Sequence, residues 1–244
     1  MHNVLVTGGS RGIGLAIVRR LAAAGYAVIA VARREGDELA SAIKQSVLDG
    51  KGKIHFRACD LGDIDAIPDL VKQLRDAFGP LYGLVNNAGI SAEGLLATMH
   101  NSQIEQLLRV NVLSPIVLTK YVVRHMMADG AGRIINIGSI IGSTGYNGLA
   151  VYGATKAAAN GFTHSLAREV GRVGITVNTI APGFIDTELT KSLGAEQRDR
   201  IAGRSALRRL PQTDDVASMV EFLLGDGGGN ITGAVLTVDA GNTA

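Results

Sequence analysis

The chain has 244 residues, of which 46% are hydrophobic, and a formal net charge of +2. This composition excludes a disordered tail protein, and the lack of Lys/Arg blocks longer than a pair argues against a nucleic-acid or membrane surface. One cysteine, Cys59, and five histidines without ligand spacing predict neither a disulfide framework nor a metal site. Without a signal-peptide pattern or an uninterrupted apolar run of about 18 residues, the sequence favours a cytoplasmic protein.

Short apolar runs alternate with amphipathic segments along the whole chain. Strands are predicted over residues 2–7, 27–32, 53–58, 82–87, 132–139, 174–181 and 234–239. Helices are predicted over residues 13–25, 37–49, 63–79, 101–127, 150–172 and 214–224. The strands are continuous apolar runs, which indicates that both of their faces are covered. Such strands, alternating with helices, predict an α/β fold with a parallel sheet, and no linker divides residues 1–244 into more than one domain.

A glycine-rich stretch, TGGSRGIG, directly follows the first strand at residues 7–14. Between a strand and a helix, glycines let the backbone approach a pyrophosphate, and the helix N-terminus favours its negative charge. The spacing is G-x-x-x-G-x-G, which differs from both the G-x-G-x-x-G fingerprint and the P-loop. The alternative is a tight turn without a ligand. The expected dinucleotide contacts in this stretch are Gly8, Ser10, Arg11, Gly12, Ile13 and Gly14.

The end of the second strand bears on which dinucleotide is bound. A carboxylate at this place would bind the adenosine ribose hydroxyls and favour NAD. The sequence instead has Arg33 and Arg34, with no acid before Glu35. Arg33, helped by Arg11 in the glycine loop, is expected to pair with a 2′-phosphate, which favours NADPH (NADP+) as the cofactor. Two solvated arginines without a ligand are the alternative.

Small and polar residues also follow the third and fourth strands. Asp60 is a candidate hydrogen-bond partner of the adenine, with Leu61 packed beside it, although Asp60 is also a candidate N-cap of the next helix. The fourth strand ends in NNAG, which supplies Asn87, Ala88 and Gly89. These residues lie at the carboxyl ends of parallel strands, where ligands bind in open α/β sheets.

A serine, a tyrosine and a lysine form the candidate catalytic group. Ser139 ends the fifth strand, and Tyr152 and Lys156 lie four residues apart on the following helix and therefore share a face. Tyr152 would donate a proton to a carbonyl oxygen that Ser139 orients. Lys156 would lower the pKa of the phenol and hold the nicotinamide ribose. Tyr-x-x-x-Lys is common by chance, so a polar helix edge is the alternative.

Several motifs occur together and in order: TGGSRGIG, NNAG, RVNVLSP, Ser139, YGATK and PGFIDT. With them the chain resembles the short-chain dehydrogenase/reductase family across essentially its full length. The resemblance implies a Rossmann-type, doubly wound, seven-stranded parallel sheet and a homotetramer. It also implies a tetrad of Asn111, Ser139, Tyr152 and Lys156, in which Asn111 holds a water that links Lys156 to solvent.

The same resemblance implies further cofactor contacts and a substrate lid. Pro182, Gly183, Ile185 and Thr187 are the expected nicotinamide contacts, with Ile185 and Thr187 at the carboxamide. The lid is expected around residues 184–208. Within the family, GRIINIGSIIG and GITVNTIAPGFIDTELT are most similar to 3-oxoacyl-[acyl-carrier-protein] reductases.

One departure concerns the carrier. Such reductases commonly have a basic cluster just before the fifth strand, whereas this chain has ADGAG at residues 128–132. A second docking cation is displaced by one position to Arg172, although Arg124 and Arg133 lie nearby. Docking of an acyl carrier protein is therefore expected to rest on an incomplete set of cations.

Three hypotheses follow for the function. The first is NADPH-dependent reduction of a 3-oxoacyl thioester, linked to a carrier protein or to coenzyme A, as in fatty acid synthesis. The second is a reductase of the same family that acts on a polyketide intermediate, a sugar, a steroid or a simple ketone. The third is a non-catalytic nucleotide-binding regulator or structural subunit, against which the intact tetrad argues.

Overall fold

A computed structural model describes residues 1–185 and 194–244 of the chain and joins its strands in one parallel sheet. The seven strands lie in the order β3-β2-β1-β4-β5-β6-β7. They are β1 (Asn3–Thr7), β2 (Ala27–Ala32), β3 (Lys53–Ala58), β4 (Leu81–Asn86), β5 (Gly132–Ile137), β6 (Ile175–Pro182) and β7 (Val235–Val238). The order reverses between β1 and β4, which opens a crevice at the carboxyl ends of these two strands.

Helices cover both faces of the sheet. They are α1 (Gly12–Ala23), α2 (Asp37–Asp49), α3 (Ile67–Phe78), α4 (Asn101–Leu108), α5 (Ser114–Asp129), α6 (Ala150–Val170), α7 (Ala195–Arg204) and α8 (Thr213–Leu224). One core cluster joins the sheet to α1, α2 and α8, and the other joins it to α3, α5 and α6. This arrangement confirms the predicted Rossmann-type α/β fold. None of the helices in the described part of the chain is long and apolar enough to cross a membrane.

The two core clusters explain why the strands are apolar throughout. In β1, Val4 and Val6 belong to the first cluster, whereas Leu5 belongs to the second, and all three side chains are completely buried. Successive side chains of a strand point to opposite faces of the sheet, so a strand with helices on both sides needs an apolar residue at every position.

The helix predicted over residues 101–127 is interrupted. The structure has α4, then a π-helical turn over Arg109–Leu113, then α5. Pro115, at the second position of α5, lacks the N–H that an α-helix would direct to the carbonyl group of Asn111. The ladder of hydrogen bonds therefore loosens at the turn that carries Asn111, which is a common position for a functional π-bulge.

Other boundaries differ from the predictions by smaller amounts. The helix predicted from residue 63 starts as a 3₁₀ turn, Ile64–Ala66, before α3, and α6 ends at Val170 rather than at residue 172. Helix α7 was not predicted, because its sequence AEQRDRIAGR is polar and lacks an apolar stripe. The lid expected around residues 184–208 includes α7, but its part over residues 186–193 lies outside the described residues.

Candidate active site

The glycine loop is anchored to the end of β4 by the side chain of Thr7. The hydroxyl of this buried residue accepts hydrogen bonds from the backbone N–H groups of Asn87 and Ala88, both at 2.9 Å. In the other direction, Nδ2 of Asn87 donates to the carbonyl groups of Thr7 (2.9 Å) and Gly8 (3.3 Å). Hydrogen bonds therefore join the two expected cofactor motifs, TGGSRGIG and NNAG, at the crevice.

The loop has a shape that requires glycine. Gly8 and Gly12 have φ angles of +65° and +56°, in the left-handed region that favours glycine. A Cβ atom on Gly14 would overlap the carbonyl oxygen of Gly8 and come within 2.5 Å of Nδ2 of Asn87. The side chain at the N-cap position of α1 makes no capping hydrogen bond, and the first turn of α1 has no acid. The first-turn N–H groups and the open cradle thus fit a pyrophosphate.

The two candidate phosphate-binding cations lie on neighbouring loops. Arg11 and Arg33 are both exposed. Gly36, between β2 and α2, lies so close to the glycine loop that a Cβ atom on it would be 4.0 Å from the carbonyl oxygen of Ser10. The loop with Arg33 therefore runs beside the loop with Arg11, as binding of one 2′-phosphate by both requires.

The expected adenine contacts lie where β3 ends. Asp60 is exposed, and its Oδ1 accepts the backbone N–H of Gly62 at 2.9 Å. Leu61 is buried in the core cluster of α3. The alternative of Asp60 as a helix N-cap is wrong, because Asp63 precedes the 3₁₀ turn and Ala66 precedes α3.

Asn111 is a buried junction between three segments. Its Oδ1 accepts the backbone N–H of Ile90 at 2.9 Å, and its Nδ2 donates to the carbonyl group of Ile90 at 2.8 Å. The same Nδ2 donates to the hydroxyl of Thr155 at 3.1 Å. Asn111 therefore ties the segment after β4 and the π-helical turn to α6.

Lys156 is buried beneath Tyr152. Its Nζ donates a hydrogen bond to the carbonyl group of Ile137 at 2.9 Å and lies 5.7 Å from the centroid of the Tyr152 ring. Burial lowers the pKa of the ammonium group to about 8, because the charged form loses hydration. A lysine with this pKa can supply a proton near neutral pH.

The side chains of Tyr152 and Ser139 lie next to each other. Burial raises the pKa of the Tyr152 phenol, and the Ser139 side chain lowers it by a smaller amount. The Ser139 hydroxyl also accepts the backbone N–H of Ile141 at 3.2 Å, which fixes its direction. For this chain's own groups the expectation that Lys156 lowers the phenol pKa is wrong, since burial dominates and the ammonium group lies below the ring.

A small cavity lies behind Lys156. Its volume is about 30 Å³, and the polar residues on its wall are Asn86, Asn111, Asn136 and Lys156. The Oδ1 atom of Asn86 is buried and has no hydrogen-bond partner within the described chain. The volume suits one water molecule, and the polar wall offers it several hydrogen bonds.

The segment after β6 closes the other side of the site. Pro182 is the last residue of β6, and the backbone N–H of Gly183 donates to the carbonyl group of Val238 at 2.9 Å. A Cβ atom on Gly183 would lie 2.7 Å from that of Asp239, so the packing requires glycine. Ile185 is buried. Thr187, the other expected carboxamide contact, lies outside the described residues.

Comparison with protein families agrees with this arrangement. The family model for short chain dehydrogenases matches residues 2–198, which is most of the chain. The chain belongs to the short-chain dehydrogenase family.

Individual members of the family are similar over almost their whole length. The 3-oxoacyl-[acyl-carrier-protein] reductase FabG of Haemophilus influenzae is 43% identical over 238 residues, covering 97% of this chain and 96% of the relative. A short chain dehydrogenase from Burkholderia cenocepacia, solved in complex with NADP, is 37% identical with a TM-score of 0.91, covering 100% of this chain and 98% of that chain. A blue fluorescent protein from a metagenomic library, solved in complex with NADPH, is 36% identical with a TM-score of 0.92 and the same coverage.

The residues that support the tetrad and the glycine loop of this short-chain dehydrogenase were not predicted from the sequence. These are Thr7, Thr155, the carbonyl group of Ile137 and a chain of buried hydrogen bonds from Asn86 through Asn136 and Thr163 to Thr179. Thr7 and Thr155 lie inside the motifs TGGSRGIG and YGATK, so the sequence placed them near the site. The hydrogen bonds of the other residues join different strands and helices, and they could be predicted only from the order of the strands in the sheet.

Proposed function

We propose that this short-chain dehydrogenase is an NADPH-dependent reductase of 3-oxoacyl thioesters, carried by acyl carrier protein or coenzyme A. The observation that supports it most directly is that the side chains of Ser139 and Lys156 both lie next to the Tyr152 phenol, with the Lys156 ammonium group 5.7 Å from the centroid of its ring. Two hydroxyl groups that converge at the carboxyl edge of the sheet suit a ketone oxygen, which accepts two hydrogen bonds. The similarity to a 3-oxoacyl-[acyl-carrier-protein] reductase supports the choice of substrate.

The reaction converts a ketone into an alcohol. NADPH, when bound, supplies the hydride that forms the new C–H bond at the ketone carbon. Tyr152 gives its phenolic proton to the ketone oxygen, so the 3-oxo group becomes a 3-hydroxy group, while Ser139 orients this oxygen. The raised pKa of Tyr152 keeps the phenol protonated and ready to donate at neutral pH.

The proton then has to be replaced. Lys156, with a pKa of about 8, is mostly protonated at neutral pH and lies under the phenol ring. The cavity of about 30 Å³ behind it gives room for a water molecule next to Asn111. We propose that Asn111 positions α6 through Thr155, that Lys156 gives a proton to the Tyr152 phenolate, and that this water relays a proton from solvent to Lys156.

The cofactor contacts belong to the same proposal. The N-terminal end of α1 and the glycine cradle would hold the pyrophosphate, and Lys156 the nicotinamide ribose. Arg11 and Arg33 would bind the 2′-phosphate and so favour NADPH over NADH. The remaining contacts that we propose are Gly8, Ser10, Gly12, Ile13, Gly14, Asp60, Leu61, Asn87, Ala88, Gly89, Tyr152, Pro182, Gly183, Ile185 and Thr187.

We further propose a homotetramer that acts in the cytoplasm, with the whole chain as one domain and a substrate lid around residues 184–208. Exposed apolar side chains on α4, on α5 and in the turn between them support contacts between copies. They are Leu108, Leu113, Ile116 and Met127. For an acyl carrier protein, the exposed Arg124 and Arg172 are the docking cations that we propose. Light scattering on the purified protein would measure the mass of the assembly.

The experiment that tests the function follows cofactor absorbance with 3-oxobutyryl thioesters of acyl carrier protein and of coenzyme A, each with NADPH and with NADH. We expect turnover with NADPH and slower turnover with NADH. Absence of turnover with both thioesters would refute the proposal and favour a different ketone substrate or a non-catalytic role. A preference for NADH would refute the role of Arg11 and Arg33.

A pair of matched variants tests the mechanism. Tyr152→Phe removes the proton donor, and we expect it to lower kcat by at least about 100-fold, in the usual range for a general acid. Tyr121→Phe makes the same change on α5, away from the tetrad, and should keep kcat close to that of the wild type. Full activity of Tyr152→Phe would show that the phenol is not the donor.

A further inference from the structure

Large apolar side chains are exposed in two loops near the tetrad. Leu95 and Leu96, in the segment after β4, are 60% and 58% exposed, and Tyr146, in the segment after β5, is 42% exposed. A single exposed apolar residue is ordinary on a protein surface, whereas a group of them at a crevice indicates a binding surface.

The two loops are held together at a crossing. The backbone N–H of Gly94 donates to the carbonyl group of Gly148 at 3.0 Å. Gly148 has a φ of +78°, and a Cβ atom on it would lie 3.8 Å from the nitrogen of Gly94. Leu95 follows one partner of this hydrogen bond directly, and Tyr146 precedes the other by two residues. This hydrogen bond therefore holds Leu95 and Leu96 close to Tyr146. We call these three residues the rim.

Aromatic packing connects this rim to the candidate proton donor. The ring of Tyr146 lies against the ring of Phe184, with centroids 5.4 Å apart and planes at 51°. Phe184 and Tyr152 both pack against one small apolar cluster. That cluster consists of Ile140, Ile141 and Leu149. A series of apolar contacts thus connects Tyr152, through the buried cluster and Phe184, to Tyr146.

The two loops that the structure describes here offer almost no charge to a ligand. Residues 139–155 contain no charged side chain, and residues 88–99 contain only Glu93. A sugar or a phosphorylated substrate would need several hydrogen-bond donors or cations at this place, whereas an aliphatic chain needs apolar contact alone.

We propose that Tyr146 and Phe184, with Leu95 and Leu96 beside them, form a subsite for the aliphatic part of the acyl chain. This subsite selects medium-chain 3-oxoacyl groups over the four-carbon 3-oxobutyryl group. The inference rests on the proposed function, since it concerns the substrate of the same site. In this subsite the acyl chain of the substrate extends from the ketone at Tyr152, passes Phe184 and reaches the protein surface at Tyr146.

The test compares kcat/KM for 3-oxobutyryl and 3-oxooctanoyl thioesters of coenzyme A. We expect the eight-carbon substrate to be preferred by at least about tenfold, because each methylene that contacts apolar surface adds to transition-state binding. In Tyr146→Ser, and separately in the double variant Leu95→Ser with Leu96→Ser, this ratio should fall to about threefold or less. Phe222→Ser is the matched control, because Phe222 is 48% exposed on α8 and belongs to no part of the site.

The outcomes separate the two proposals. Reduction of neither thioester would overturn the proposed function itself. Reduction of the 3-oxobutyryl thioester without a preference for the 3-oxooctanoyl thioester would overturn the proposed subsite but not the proposed function. An unchanged ratio in both rim variants would do the same. If the rim variants change the mass of the protein in solution and Phe222→Ser does not, the rim is a contact between copies of the chain and not an acyl subsite.

Discussion

Asn111 and Thr155 are joined by a hydrogen bond of 3.1 Å between the amide nitrogen of one and the hydroxyl of the other. The Thr155 hydroxyl in turn donates to the carbonyl group of Tyr152 at 2.7 Å, so its lone pairs face Asn111. This pair links the π-helical turn to the helix that carries both Tyr152 and Lys156. The position of the proposed proton donor therefore depends on a threonine that itself touches no substrate.

Thr155→Val should weaken catalysis without weakening cofactor binding. The two side chains have similar shapes, but valine leaves a donor of the buried Asn111 amide without its partner, which costs about 1–2 kcal/mol of unfolding free energy. We expect kcat to fall about tenfold, because small displacements of catalytic groups slow the reaction strongly. Steady-state kinetics and chemical denaturation measure the two effects.

Thr155→Ser keeps the hydroxyl and serves as the control, for which kcat should stay close to that of the wild type. A valine variant with wild-type kcat and lowered stability would show that the link holds the fold together but does not position α6.

Much of this site follows from local sequence patterns. The glycine loop was predicted from its place between a strand and a helix, and the shared face of Tyr152 and Lys156 from the helical period. The interruption at Asn111 was missed, because apolar residues continue through 101–127 and only Pro115 marks the break. The direction of the Tyr152 pKa shift was wrong, since burial depends on packing that the spacing of two residues does not contain.

Lys156→Met should change the dependence of stability on pH. Burial lowers the pKa of Lys156 from 10.5 to about 8 in the folded state, so the folded state binds the proton more weakly than the unfolded state. Below about pH 8 both states are charged, and burial of the charge costs up to about 3 kcal/mol. As the pH rises from about 8 to about 10.5, the folded state loses its proton first, and the stability of the wild type rises relative to that of the variant.

Denaturation at about pH 7 and about pH 10 measures this difference. The advantage of the methionine variant should shrink as the pH rises between these two values. If the difference between wild type and Lys156→Met were the same at both pH values, Lys156 would keep an ordinary pKa in the folded protein.

Gly14→Ala should disrupt the cofactor loop. The added Cβ atom would overlap the carbonyl oxygen of Gly8 and press on Nδ2 of Asn87, and both of these are fixed by hydrogen bonds. We expect the Kd of NADPH to rise at least about tenfold, which is a loss of about 1.4 kcal/mol or more. Fluorescence titration measures the Kd. Gly203→Ala is the control, because no atom of the described residues lies within 4 Å of the added Cβ in α7, and this variant should bind NADPH like the wild type. Equal affinity of both variants would show that the loop can move aside.

Ala240→Gly should stabilise the fold. Ala240 has a φ of +57°, in the left-handed region that costs an alanine about 1–2 kcal/mol. Glycine removes this strain but gains conformational freedom in the unfolded chain, which offsets about 0.4–1 kcal/mol of the benefit. The net expectation is a gain of about 0.5 kcal/mol in unfolding free energy, measured by chemical denaturation.

Ala128→Gly, at an exposed position of α5, relieves no strain and should lower stability by up to about 1 kcal/mol. Destabilisation of similar size in both variants would show that Ala240 bears no strain, because glycine would then act only by increasing the conformational entropy of the unfolded chain.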